Sequence, residues 1–471
     1  MNDPRPLFNA VFASLTIALL ASTQAATKPN IVFVLFDDIG YGQPPSYREA
    51  SGFNTPNIDR LAREGMRFTD AHSAAANCTP TRYGILTGRY PSRIGQFGVV
   101  QTFSPPIIPK DRLTVASFLQ SQGYDTACIG KWHLGMNWTT SKPGKGKGVE
   151  EPLPIGAKMN DGPNALGFDY FYGFTHARNI QTIIEQDQVV EIVEEVENQP
   201  LMTKKAVAWL RSKADSDKPF FLYFPTCPPH NPIVPAPEFE GKGGMQDSKE
   251  SKYADWVYQG DHMLGEILDT LEEIGKADNT LVIATGDNGA AGRAYPPLRA
   301  SKSSIYEGGH REPFVARWPG KITPDSVCDQ TICLNDFFAT CADLLDQPLP
   351  DNAAEDSFSI LPLLLEESQD TVRPNTIHQA PAGLALRQGP WKLISLRNGT
   401  RELYNLESDQ SETQDVYESQ PEVAQRLTTL LDQTIQNGRS NPGPPQPNDF
   451  DFSKFLTGPD EPKQKKKKRS D

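Results

Sequence analysis

The stretch Asn30 to Asp38, NIVFVLFDD, governs how the rest of the chain is read. Ile31 to Phe36 are consecutive, apolar and β-favouring, without polar alternation, so both faces of such a strand need cover. Asp37 and Asp38 stand at its exit. Further along, Thr55 with Pro56 after it can open a helix whose Ile58, Leu61 and Ala62 share a face and which Gly65 stops. Leu113 to Gln122, ended by Gly123, reads as a second helix and Tyr124 to Ile129 as the next strand. Phe220 to Phe224, a helix around Trp256 to Ile274, and Leu281 to Ala284 continue the pattern. Apolar strands separated by helices predict an α/β fold, a large and mostly parallel mixed sheet sandwiched by helices. In such sheets ligands bind beyond the carboxyl ends of the strands.

After about residue 375 the character changes. Leu384 to Gln388, Trp391 to Leu396 and Glu402 to Leu406 read as short strands joined by tight turns, followed by a helix from Pro421 to Gln436. This predicts a small C-terminal α+β subdomain with an antiparallel sheet. The 471 residues thus divide into a signal peptide at 1–26, a catalytic domain at 27–375, a subdomain at 376–442 and a disordered tail at 443–471. The tail is rich in Pro and Asn, then polybasic: Pro462 to Asp471 holds six cations and one acid. That end is expected to hold the protein near anionic cell-surface polymer. The leader, Arg5 before an apolar run from Val11 to Ala21 and then small residues, is too short to span a bilayer. No later segment is long and apolar enough, so the mature protein is expected in a periplasmic or extracellular space. A net charge of −13 with pI about 5.2 makes the chain a poor partner for nucleic acid, whose phosphates demand a basic face. Six cysteines without a CxxC pair exclude a zinc finger and a disulfide scaffold, although Cys328, Cys333 and Cys341 lie close enough along the chain for one pair to bridge.

Four strand ends carry chemistry. Asp37 and Asp38 follow the first strand and Asp287 and Asn288 follow LVIA-Thr285-Gly286; Lys131, Trp132 and His133 follow YDTACIG, and a Pro-rich loop with His230 follows FFLYF. Three carboxylates and an amide suit a hard divalent cation, Ca²⁺ or Mg²⁺, rather than zinc. Between them, Cys78-Thr79-Pro80-Thr81-Arg82 opens a helix with Thr79 as its expected N-cap, so that the positive helix end lies near Cys78 and welcomes an anion.

Cys78-x-Pro80-x-Arg82 followed by Thr87-Gly88 resembles the signature of the type I sulfatases, the formylglycine-dependent branch of the alkaline phosphatase superfamily. The resemblance runs from Asn30 to roughly residue 440 through PNIVFVLFDDIGYG, TPNIDRLAREGMRFTDAHS, CTPTRYGILTGRYPSR, GKWHLG, PPHNPIVP, TGDNG and SKSSIYEGGHREPF. It implies that a maturation enzyme oxidises Cys78 to formylglycine (3-oxoalanine). It further implies that Asp37, Asp38, Asp287 and Asn288 hold one Ca²⁺. A hydroxyl of the hydrated aldehyde would attack sulfur, with Asp287 accepting its proton. His230, with Lys302 beside it, would protonate the leaving oxygen. His133 would then take the proton whose loss expels sulfate, while Arg82 and Lys131 fix the hydrate and, with Lys302, neutralise charge on the transferring group. Lys131, His230 and Lys302 would also bind substrate. His310 reads as part of a turn that positions the Lys302 segment. Two departures from the commoner pattern, Gln43 where Asp often stands and Gly286 where Ser often stands, bear on loop geometry rather than on any ligand.

The implied activity is hydrolysis of sulfate esters, on aryl sulfates and with a sulfated carbohydrate as natural target. Lys142, Lys145, Lys147 and Lys158, in the loop after GKWHLG, are placed to attract a polyanion at the pocket rim. Two alternatives stay open at this stage: a phosphodiesterase or phosphonate monoester hydrolase of the same superfamily, and a non-catalytic calcium-dependent sulfated-glycan-binding protein. The acids between residues 185 and 197 are expected to decorate an exposed hairpin or helix.

Overall fold

The structure is a computed structural model describing residues 28–139, 152–246, 248–368 and 370–453. The expected signal segment, the lysines at 142, 145 and 147 and the polybasic end lie outside the described residues. Eleven strands make one mixed sheet: β1 (Asn30–Asp37), β2 (Met66–His72), β3 (Asp125–Lys131), β4 (Tyr170–Phe174), β5 (Thr182–Glu185), β6 (Gln188–Ile192), β7 (Phe220–Pro229), β8 (Thr280–Gly286), β9 (Arg311–Arg317), β10 (Ser326–Cys328) and β11 (Ile332–Cys333). Their spatial order is β10-β2-β9-β8-β1-β7-β3-β4-β5-β6, with β11 beside β2. The central four, β8, β1, β7 and β3, are mutually parallel, so their carboxyl ends share one edge. β9 runs antiparallel between β2 and β8.

The unbroken apolar run of β1 follows from cover on both faces. Ile31, Phe33 and Leu35 pack with residues of α2 (Cys78–Thr87), α3 (Val115–Ser121) and α6 (Asp336–Leu344). Val32, Val34 and Phe36 pack with α1 (Pro56–Glu64), α4 (Glu195–Arg211) and α5 (Ser251–Glu273). All six are at most 2% exposed, and burial of such side chains stabilises by roughly 1.5–3 kcal/mol each.

α1 keeps the expected buried face, Ile58, Leu61 and Ala62, and Gly65 at its end. Its cap differs from expectation. Thr55 makes no capping hydrogen bond; instead the Asp261 carboxylate of α5 accepts from the backbone N–H of Asn57 and Ile58 at 3.0 and 2.7 Å. A cap supplied from another helix leaves no local signal.

The small sheet is antiparallel, β12 (Thr376–Ala380), β13 (Gly383–Gln388), β14 (Trp391–Leu396) and β15 (Arg401–Asn405) in that order. β12 escapes sequence reading because TIHQA alternates weakly and is buried throughout. A short helix α7 (Leu361–Leu364) precedes it, and α8 (Pro421–Gln436), at the expected bounds, packs on β13 and β14. Residues 443–453 correct the expectation of disorder: Phe450 and Phe452 join the core beneath α8, and Asp449 pairs with Arg89 at 2.8 Å. All six cysteines are free thiols. Cys333 and Cys341 face different cores, which explains why this pair is not bridged.

Candidate active site

The shared edge of the four parallel strands brings the expected residues together. Asp37 closes β1, and Asp38 follows in the left-handed region at φ 68°. Asp287 and Asn288 follow β8. The Asp38 N–H donates to Asp287 Oδ1 at 3.0 Å, and Asn288 Nδ2 donates to Asp38 Oδ1 at 2.8 Å, so the two strand exits are laced to each other. Lys131, the last residue of β3, pairs with Asp37. The Arg82 guanidinium of α2 donates to Asp287 Oδ2 through Nη2 at 2.8 Å and Nε at 3.2 Å, and to the Lys131 carbonyl at 2.9 Å. All of these groups are at most 1% exposed.

Cys78 is the first residue of α2, and its sulfur lies 3.3 Å from Lys302 Nζ and 3.9 Å from Asp38 Oδ1. Lys302 also pairs with Asp38. The expected N-cap, Thr79, is already inside the helix. Asn77 takes the cap position, without a capping side-chain bond. Thr79 Oγ1 instead donates to the His133 carbonyl at 2.9 Å and accepts from Val100 N at 3.2 Å, which ties the helix to the β3 exit loop. Asn77 accepts from Ser303 Oγ at 2.6 Å, joining the loop before Cys78 to the loop of Lys302. His133, Ala300 and Ser303 share with Asp38 a positive φ that non-glycine residues seldom adopt. Such strain gathers where a fixed geometry is needed.

Electrostatics separates the groups. For Asp37, burial would raise the carboxyl, but the ammonium of Lys131 and further cations outweigh it and hold the group well below the usual carboxylate range. Burial first, and then Asp37, lift Asp287. Burial would discharge Lys131 and Lys302, yet Asp37 beside the first and Cys78 and Asp38 beside the second raise both. The Cys78 thiol is pushed up by burial, so as a cysteine it is a poor nucleophile. Burial, with Lys131 beside it, pushes His133 well below its usual value. Its Nε2–H faces the Val100 carbonyl at 3.1 Å, and Nδ1 lacks any hydrogen-bond partner, so a bare lone pair is available there. Burial also lowers His230, whose Nε2 is 3.7 Å from Asp38 Oδ2.

A cavity of about 790 Å³ opens over this edge, lined by Cys78, Lys131, His133, His230, Lys302 and Asp38. Arg82, Asp37, Asp287 and Asn288 lie beneath its floor rather than in its wall. Arg82 contacts Asp287 and the Lys131 carbonyl and does not line the cavity. Lys158 is exposed and does not line the cavity; its backbone pairs with Gln188. The acids at 185–197 fall on the β5–β6 hairpin and the start of α4, and Glu195 reaches the cavity. Sequence reading also passes over Gln101, His176 and Arg178 in the wall, since none stands in a spaced motif, and Asn231, although it follows His230 within PPHNPIVP. Asn77 and Ser303 had a signal, their adjacency to Cys78 and Lys302. His310 ends a single 3-10 turn, Glu307–Gly309, as its turn reading expects. Gln43 accepts from Gly40 N at 2.5 Å and donates to Tyr253 at 3.1 Å, pinning the Asp38 loop to α5. Gly286 is required because a Cβ there would sit 2.7 Å from Glu312 Oε2 and 2.8 Å from Ile39.

The residues fit a hard cation. Asp37 Oδ1, Asp38 Oδ2 and Asn288 Oδ1 are buried oxygens without a hydrogen-bond partner, and buried polar atoms are rarely left so. Oxygen donors of this kind match Ca²⁺ or Mg²⁺.

A family model described as Sulfatase matches residues 29–347, and one described as N-sulphoglucosamine sulphohydrolase, C-terminal, matches 300–440. The chain is 32% identical to N-acetylgalactosamine-6-O-sulfatase of Bacteroides thetaiotaomicron, over 87% of this chain and 93% of that protein. It is 34% identical to human arylsulfatase A, over 75% of this chain and 71% of that protein. A solved B. thetaiotaomicron structure, described under the metabolism of multiple glycosaminoglycans, superposes with TM-score 0.77 at 29% identity, covering 87% of this chain and all of that one. The phosphonate monoester hydrolase of Agrobacterium radiobacter, 18% identical with TM-score 0.60 over 86% and 94% of the chains, shares the fold. With its mostly parallel sheet, its strand-end residues and these relatives in agreement, the chain belongs to the type I sulfatases of the alkaline phosphatase superfamily and is a sulfuric ester hydrolase.

Proposed function

We propose that this sulfatase removes sulfate from a sulfated carbohydrate, that it acts outside the cytoplasm, and that Cys78 works as formylglycine after conversion by a maturation enzyme. Asp37, Asp38, Asp287 and Asn288 would hold one Ca²⁺, which supplies charge for the sulfate oxygens, while the hydrated aldehyde supplies a hydroxyl nucleophile. The observation that carries the reading is the set of three buried oxygens without a hydrogen-bond partner, on Asp37, Asp38 and Asn288, at the strand exits that face Cys78 at the amino end of α2.

The chain's own groups then have tasks. Arg82 holds Asp287 in place, so that its carboxylate can take the nucleophile's proton. Lys131 and Lys302, both charged, neutralise the transferring group from the cavity wall. Lys302 and His230 flank the leaving-group side. Lys302 is an ammonium throughout, whereas His230 donates only after it has picked up a proton. His133 offers its bare Nδ1 to the hydroxyl whose proton must leave when sulfate is expelled. A relative named for 6-O-sulfated N-acetylgalactosamine and a structural neighbour solved with a neocarrahexaose support a carbohydrate substrate. Among the described residues no helix is long and apolar enough to cross a membrane.

Turnover of paired aryl sulfate and aryl phosphonate substrates by protein coexpressed with a formylglycine-generating enzyme tests the reading. The sulfate is expected to turn over faster, with activity lost on chelation and restored by Ca²⁺. Faster phosphonate cleavage would overturn it, and binding of sulfated glycan without turnover would mark a lectin-like protein instead.

A further inference from the structure

The small sheet reaches the catalytic loops through a buried cluster that no step above uses. His72, at the end of β2, His310, before β9, and His378, in β12, are all at most 0% exposed. The His310 and His378 rings stack at 4.1 Å with planes 9° apart. His72 Nδ1 faces His310 Nδ1 at 3.1 Å, and His72 Nε2 faces Asp70 Oδ1 at 2.9 Å. His310 Nε2 lies 3.1 Å from both Lys392 Nζ of β14 and the Ile305 carbonyl. Lys392 is fully buried and also pairs with Glu307 at 2.9 Å and Glu412 at 2.7 Å. A metal does not suit the trio. Stacked rings aim their lone pairs along parallel planes rather than at one point, and Lys392, Arg387 and Arg311 already balance Asp70, Glu307 and Glu412.

Two catalytic loops hang from this cluster. The loop into Cys78 is held by Ser73 N donating to the His310 carbonyl at 2.8 Å and by His378 Nδ1 donating to the Ser73 carbonyl at 3.0 Å. β12 adds two backbone bonds, Gln379 N to Ala74 and Ala76 N to Gln379, both at 2.9 Å. The Lys302 loop ends on Glu307, whose N–H donates to Glu412 Oε2 at 2.7 Å and whose carboxylate meets Lys392. Ser303 N, donating to the Ala76 carbonyl at 2.8 Å, closes the ring between the loops.

We infer that His378 and Lys392 are positioning residues of the sulfatase site, holding the loop of Lys302 at a fixed distance from position 78 through His310, Ser73 and Glu307. The inference rests on the proposed role of Lys302 beside position 78. The small sheet is then a working part of the site rather than an appendage. Replacing the ring separates its two contributions: His378→Phe keeps the stacked volume and deletes the donor to Ser73, whereas His378→Asn keeps a donor at the Nδ1 position and deletes the stack.

Steady-state kinetics with an aryl sulfate, normalised to folded, formylglycine-bearing protein, tests this alongside thermal melts of the full chain. His378→Phe is expected to lose kcat by about 10-fold or more with KM within a factor of about 3, as follows when an interaction matters only in the transition state. His378→Asn is expected to recover most of that loss even though its melting temperature falls. Lys392→Met is expected to lose kcat as His378→Phe does in whatever fraction folds. Wild-type kcat in folded His378→Phe, or activity that tracks melting temperature in both His378 variants, would overturn the inference. Wild-type protein inactive on every sulfate ester would instead sink the reading of the site on which it rests.

Discussion

Lys302 touches the Cys78 sulfur at 3.3 Å and pairs with Asp38, so it meets both the proposed nucleophile position and the proposed cation site. Lys302→Ala removes a charge aimed at the transferring group, and a kcat loss of about 10²- to 10³-fold is expected, as for other preorganised electrostatic donors. Aryl sulfate kinetics checks it, and a loss under about 10-fold would remove Lys302 from the mechanism. Gly286 gives a stability prediction. Gly286→Ala places a methyl 2.7 Å from Glu312 Oε2 and 2.8 Å from Ile39, and such overpacking destabilises by about 1–3 kcal/mol. Urea unfolding should show it, and Glu312→Ala in the same chain should relieve part of it. At this scale the sequence disclosed most of the candidate site, because Asp37, Asp38, Cys78, Arg82, Lys131, His133, His230, Asp287, Asn288 and Lys302, which the fold brings to one edge, stand in spaced motifs. What escaped were residues whose task exists only in three dimensions. Nothing around His176 or Arg178 marks them before β4 and its following turn bring them to the cavity wall.

Among the elements, β1 was legible because a strand buried on both faces needs an unbroken apolar run. α8 was legible for the opposite reason, since its amphipathic stripe has one buried face. Caps were harder. Thr55 and Thr79 both have the right residue type in the right place, yet Asp261 from α5 caps α1, and α2 begins one turn position earlier than its Thr. Asp261 bears the consequence. Its carboxylate accepts two backbone N–H groups and the Asn57 side chain, so Asp261→Ala is expected to cost about 1–2 kcal/mol, as loss of a cap does. A denaturant midpoint unchanged from wild type would contradict the assignment of the cap. β12 shows a different limit. A buried strand of mixed polarity has no period to detect, and this strand supports the loop into Cys78.

On the scale of the whole molecule, an acidic body with a net charge of −13 handles an anionic substrate by local balance. Asp37, Asp38 and Asp287 are matched by Arg82, Lys131 and Lys302, so the proposed divalent cation would turn the pocket positive. The buried histidines make stability depend on pH. Burial, aided by Lys392, pushes His310 and His378 well below 6.5, and burial lowers His72 although Glu307 and Asp70 oppose it. Arg387, Arg311 and Glu412 complete the surrounding charges. Unfolded imidazoles bind protons near 6.5 that the folded cluster refuses, so the stability they lend is complete above that value and is lost as pH falls below it. Each unit of depression is worth about 1.4 kcal/mol. Melting temperature should therefore fall steeply between about pH 6.5 and 5, and a double His310→Phe, His378→Phe chain should fall less steeply. A flat wild-type profile would contradict the buried neutral cluster. The central claim, that Cys78 is no longer a cysteine in the working enzyme, is tested most directly by the mass of the proteolytic peptide spanning position 78 in protein from its native host. An aldehyde in place of the thiol, in a fraction that scales with sulfatase turnover, is the expected result. An intact thiol throughout fully active enzyme would contradict it.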